Sequence, residues 1–213
     1  MKNMQRLGGY ASLLTGLGFF GIMVIDFAIL APQGFAGPDT PAEEVMALAA
    51  KSATPFQLLD FITMLFSITF ILAALAVRER LGDSAPNQML MALIAASIAS
   101  ALFIAIGAID FNSTPSIAAA NDVSAFRASI AITDGMLNGA IFALGWMLLL
   151  WAWAGLATKG LPVMLCYLLL LTGFAAILAF VIPILGLLVI VLNAVWGFWL
   201  GYVLLRQPKM EKP

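Results

Sequence analysis

Four aspartates stand inside or beside long apolar runs: Asp26, Asp60, Asp110 and Asp134. An ionised carboxylate deep in hydrocarbon costs about 2.5–3.5 kcal/mol on insertion scales, so such a group faces a bundle interior, finds a partner or carries a proton. Asp26 lies shortly before Pro32, Asp60 shortly after Pro55, Asp110 shortly before Pro115, and Asp134 early in its own run. At 1.5 Å per residue all four fall roughly 5–10 Å inside one membrane boundary. Carboxylates grouped in such a layer have the chemistry to hold Na⁺, Ca²⁺ or Mg²⁺, or to share a proton, with Asn112, Asn138, Thr63 and Thr133 as neutral oxygen ligands. The competing reading is structural. Thr133 and Asp134 suit a helix cap, Asp60 lies near a helix start where the dipole favours an anion, and Asp110 can reach interfacial water. Asp26, near a helix end that disfavours an anion, fits that reading least.

The elements that carry these residues follow from composition. The chain has 213 residues, 63% hydrophobic and 10% charged, with a mean hydropathy of +1.05, which leaves too little polar surface to cover a water-soluble globule of this size. Its expected solvent and partner is therefore the lipid bilayer. The net charge of −1 supplies no basic field for nucleic acid. Histidine is absent from the sequence, which excludes histidine-ligated haem or metal and imidazole proton relays. The one cysteine, Cys166, sits in an apolar run and reads as a small hydrophobe. No cofactor is indicated. Catalytic pairings, a phosphate-binding glycine loop and zinc-ligand spacings are likewise missing from the sequence.

Apolar runs of about 20 residues, the length that crosses a ~30 Å hydrocarbon core, predict six spans. They are 8–31, 56–77, 89–111, 132–154, 163–182 and 184–205. No charge separates Lys159 from Arg206, yet one helix of that length would be about twice what a bilayer accepts, so the chain must fold back, with Pro183 and Gly186 marking the turn. The first run is too long for a signal peptide and reads as a retained span. Eight of the ten Lys and Arg residues fall on one face in this scheme, all but Lys51 and Arg127, which places both termini in the cytoplasm. A bacterial cytoplasmic (inner) membrane is the expected location.

Tyr10, Trp151, Trp153 and Tyr202 lie at the inner ends of spans, where aromatic anchors belong. The pairs Gly135/Gly139 and Gly197/Gly201, with Gly16, Gly18 and Gly21, mark faces for close helix packing, within the chain or between copies. Asn193, near the middle of the last span, is expected to bond a neighbouring helix. Outside the spans, 42–51 has apolar residues at helical spacing behind Thr40 as N-cap and Pro41 at the first helical position, and predicts a short outer surface helix. A second is expected over 117–131, after a break at Ser113-Thr114-Pro115-Ser116. The recurrence of Ile25-Asp26-Phe27 as Ile109-Asp110-Phe111, each followed by a proline break and a further aspartate, suggests a weak internal repeat.

The fold expected is thus all-α: one polytopic, integral membrane domain over 1–213, a six-transmembrane-helix bundle with two short extracytoplasmic surface helices. Three functions fit it. The first is an accessory, scaffolding or assembly subunit that packs against other membrane-protein subunits. The second is a cation- or proton-coupled transporter of a small solute using the aspartate layer. The third is an acid-catalysing membrane enzyme. The scarcity of polar groups at mid-membrane favours the first.

Overall fold

A computed structural model describes residues 2–35, 40–182 and 184–206, and all regular structure among them is helical. Helix α1 (Lys2–Val24) runs on through a π-helical turn, Ile25–Leu30, and a 3-10 turn, Ala31–Gln33. Pro32 has no N–H and its ring crowds the carbonyl four residues back, and the wider turn accommodates it: Ala31 N–H bonds to Asp26 O. Gly34 then ends the element at φ 102°, a conformation that favours glycine.

Helix α2 (Ala42–Lys51) is the expected surface helix, but it begins one residue late, with Pro41 at the cap position. Helices α3 (Thr54–Leu81), α4 (Pro86–Ala120) and α5 (Val123–Thr158) all overrun their predicted spans. The second surface helix does not form as a separate element, because α4 passes straight through Pro115. A proline there frees one backbone acceptor, the carbonyl of Phe111, and Gln57 Nε2 on α3 donates to it at 3.5 Å. The chain reverses later, at Asn121 (φ 53°), and Asp122 caps α5 by accepting from Ala125 N–H at 2.9 Å. Thr133 and Asp134 therefore lie about three turns inside α5 and cap nothing. This also separates the two supposed repeats, since the first hairpin carries a detached helix and the second an uninterrupted one.

Helices α6 (Val163–Ala179) and α7 (Leu185–Arg206) complete the chain. Pro183 falls outside the described residues, and Gly186 lies in the first turn of α7, not in the reversal. Five helices are long and apolar enough to cross a membrane, and α6, with 17 residues, is shorter. That composition and length define a helical membrane protein in a lipid environment.

The six long elements form a ring in chain order, α1, α3, α4, α5, α6 and α7, closed by α7 against α1. Its axis is filled. Trp151 on α5 and Trp196 on α7, both fully buried, meet edge to face with ring centroids 5.8 Å apart, while Phe19, Phe66, Phe70 and Phe103 join α1, α3 and α4. Trp151 is thus a core residue and not an interfacial anchor. Trp153, Tyr10 and Tyr202 do face outward.

Small residues set the helix spacing. A Cβ at Gly201 would stand 2.9 Å from Gly9 O, and one at Gly145 would stand 2.9 Å from Gly173 O, so α1 meets α7 and α5 meets α6 backbone to backbone. Gly197 and Gly201 are used as the sequence suggests. Gly135 is not, since no atom lies within 4 Å of the position its Cβ would take, and Gly139 only approaches Leu102.

Candidate functional site

The aspartates arrive at one end of the ring on four elements, Asp26 on the π-turn, Asp60 on α3, Asp110 on α4 and Asp134 on α5. They do not form one cluster. The backbone of Asp60 lies against Gly107, where a Cβ would sit 2.7 Å from Asp60 O, and this close approach sets the Asp60 and Asp110 carboxylates within electrostatic reach. Asp110 is in turn hydrogen-bonded by the Thr133 hydroxyl and lies within electrostatic reach of the exposed Asp134. That hydroxyl also reaches back along its own helix to Ser129 O at 3.2 Å. Asp26 is half-buried beside α3, and no other aspartate bears on it. The arrangement is a chain of three carboxylates, Asp60, Asp110 and Asp134, with Asp26 to one side.

The neutral candidates separate from that chain. Asn112 is exposed and donates to Ala108 O at 3.0 Å in its own helix. The backbone carbonyl of Thr63 accepts from the Ser67 hydroxyl. Asn138 is exposed on the outward face of α5. Among the described residues no three carboxylate or thiol groups converge closely enough to hold a metal ion.

Asn193 is fully buried, and among the described residues its side chain bonds within α7 rather than across to a neighbouring helix. Its amide donates to Val189 O at 2.8 Å and its oxygen accepts the Trp196 indole N–H at 2.5 Å. Its role is to satisfy a tryptophan inside a dry core.

Two polar features escape a reading of the sequence. Thr15 on α1 and Thr69 on α3 share a buried hydrogen bond of 2.5 Å, and Ser100 on α4 donates to Ser67 O at 2.7 Å. Single hydroxyls scattered through apolar runs carry no pattern, though the Ser/Thr content of the spans is the signal that was there to use. The second feature is the mount of α2. Met46 and Ala49 pack on Ala118 and Phe126 at the α4–α5 turn, and Arg127 pairs with Glu43. The amide at Glu43's own position in the first turn, and then the guanidinium, hold that carboxyl below its ordinary value of 4.5.

Comparison with protein-family models, with curated proteins and with solved structures returned no match to the chain.

Proposed function

We propose that the protein is an accessory or scaffolding subunit of a membrane complex, a six-span bundle of a bacterial cytoplasmic membrane with both termini on the cytoplasmic side. One observation carries the reading: the axis of the ring is occupied by Trp151, Trp196, Phe70, Met147 and Leu144, each fully buried, so the bundle offers its surface and not its interior. A carrier works through a site at the repeat interface near the bilayer midplane, and here side chains fill that level.

Counting α6 as the sixth span is supported by its position between α5 and α7 and by its length, about 26 Å at 17 residues. The orientation is supported by the basic residues. Arg80 Nε donates to Gly160 O at 2.7 Å, tying the end of α3 to the α5–α6 turn beside Lys159, while Gly9 near the start of α1 meets Leu205 near the end of α7. Arg6, Arg78, Arg80, Lys159 and Arg206 thus share one end of the bundle, as the positive-inside bias requires of a cytoplasmic face.

Extraction from native membranes in a mild detergent tests the reading. A stoichiometric membrane-protein partner is expected, and a clean monomer recovered under conditions that preserve other complexes would overturn it. A second reading, a proton- or cation-coupled carrier, rests on the adjacency of Asp60 and Asp110. Solute uptake by proteoliposomes that is lost in Asp60→Asn and Asp110→Asn would establish it over the first.

A further inference from the structure

The glycine contacts that seat α7 on α1 also decide where charge collects. A Cβ at Gly9 would stand 2.7 Å from Leu205 Cγ, and one at Gly201 would stand 2.9 Å from Gly9 O, so the start of α1 lies directly against the end of α7. Arg6, shortly before Gly9, and Arg206, directly after Leu205, are thereby brought to neighbouring positions on one rim of the bundle. Both are exposed, and among the described residues neither has a carboxylate partner. The Arg206 guanidinium lies over the outward-facing Tyr202 ring, 5.3 Å from its centroid.

No acid offsets this pair. α1 and α7 contain neither Asp nor Glu along their whole lengths. Elsewhere on the rim the charge is balanced or thin: Arg78 and Arg80 share the end of α3 and the turn after it with Glu79 and Asp83, and the α5–α6 turn carries Lys159 alone. The positive-inside bias accounts for bases at this end of the bundle, but not for their gathering without acids at one helix seam.

Depth fixes what the seam meets. Tyr10 follows Arg6 by one helical turn and Tyr202 precedes Arg206 by one, about 6 Å along each helix. Both tyrosines are exposed, and such rings sit at the boundary between hydrocarbon and head groups. The head-group layer beyond that boundary is about 5–8 Å thick, so the two guanidinium groups stand among lipid phosphates. Past the tyrosines, towards the middle of the membrane, the seam is flanked by exposed apolar side chains, Leu17 on α1 and Phe198 on α7.

We propose that the α1–α7 seam is a binding site for one anionic glycerophospholipid. Arg6 and Arg206 hold its phosphate, Tyr10 and Tyr202 flank the glycerol, and an acyl chain lies along the seam against Leu17 and Phe198. Guanidinium groups suit this task because their planar donors match phosphate oxygens in pairs and carry charge at every physiological pH. A zwitterionic lipid fits less well, since its own cation is repelled by the two arginines. The site goes beyond the accessory-subunit reading and does not depend on it.

Native mass spectrometry of the full chain, released from micelles holding equal amounts of phosphatidylglycerol and phosphatidylcholine with matched acyl chains, tests the proposal. One phosphatidylglycerol should be held about thirtyfold more tightly than phosphatidylcholine, the effect of two basic side chains beside an anionic lipid. Arg6→Gln with Arg206→Gln should bring the two lipids level, and Arg6→Lys with Arg206→Lys should keep a clear preference because the charge remains. Arg78→Gln removes one charge from the same rim and should change nothing. The arginines in the pair are exposed, so an unchanged elution volume and thermal midpoint in phosphatidylcholine alone check that the variants fold. Equal retention of the two lipids by the parent chain, or a preference that survives the double glutamine variant, would overturn the site. So would a preference that falls as far in Arg78→Gln, which would mark a diffuse surface field, or displacement of the lipid by millimolar glycerol phosphate, which would mark a site for a soluble anion.

Discussion

Gly16 on α1 and Gly197 on α7 meet backbone to backbone. A methyl group at position 197 would stand 2.7 Å from Gly16 N and 2.8 Å from Gly16 Cα, and neither atom can rotate away. This contact closes the ring between its first and last helices.

Replacing Gly197 with alanine should therefore pry α7 from α1, at the cost of about 1–3 kcal/mol typical of an overpacked site. Gly135→Ala, in the same sequence motif but beside open space, should change stability by no more than about 0.5 kcal/mol. Thermal unfolding in detergent of the two variants side by side reads the difference, and equal losses would contradict the packing described.

The Asn193 oxygen is the acceptor for the buried indole of Trp196. Asn193→Leu should strand that N–H and lower stability by about 1–3 kcal/mol, the penalty for an unsatisfied buried donor. Adding Trp196→Phe, which removes the donor, should make the loss at position 193 smaller than in the wild-type background. A double-mutant cycle with no coupling would show that the bond contributes nothing.

Gln57 answers the carbonyl that Pro115 frees in α4. Gln57→Leu should destabilise the wild type by about 0.5–1.5 kcal/mol, and less once Pro115→Ala restores the helical N–H to Phe111 O. The signature is that rescue, measured as a shift in denaturation midpoint.

Glu43 titrates below 4.5 in the docked state, so its contribution to holding α2 is fully present above that value and is lost as pH falls through the lower, docked-state value. Spin labels at Ala47→Cys and Ser124→Cys, both exposed, should keep a fixed distance at neutral pH and separate or broaden in acid below 4.5. Glu43→Gln should flatten that pH dependence, as should high salt, because the Arg127 pair is open to solvent.

Hydrophobicity is a property of each residue, and it was enough to establish a helical protein in lipid, the positions of its runs and the helix at 42–51, whereas the same glycine spacing marked one pair that packs, Gly197 and Gly201, and one that does not, Gly135 and Gly139. Where helices stop depends on partners far away in the chain. Pro115 does not end α4, and the carbonyl it leaves free is met by Gln57 on another helix. Trp151 and Trp153 are indistinguishable in sequence, yet one meets Trp196 in the core and the other faces out, because residues two apart on a helix point to different sides and the packing of α5 on its neighbours decides which side is the core. The same dependence applies to the carboxylates. Their common end could be read from their distance to prolines, but that Asp60 and Asp110 come within electrostatic reach was decided by Gly107 letting α3 approach α4.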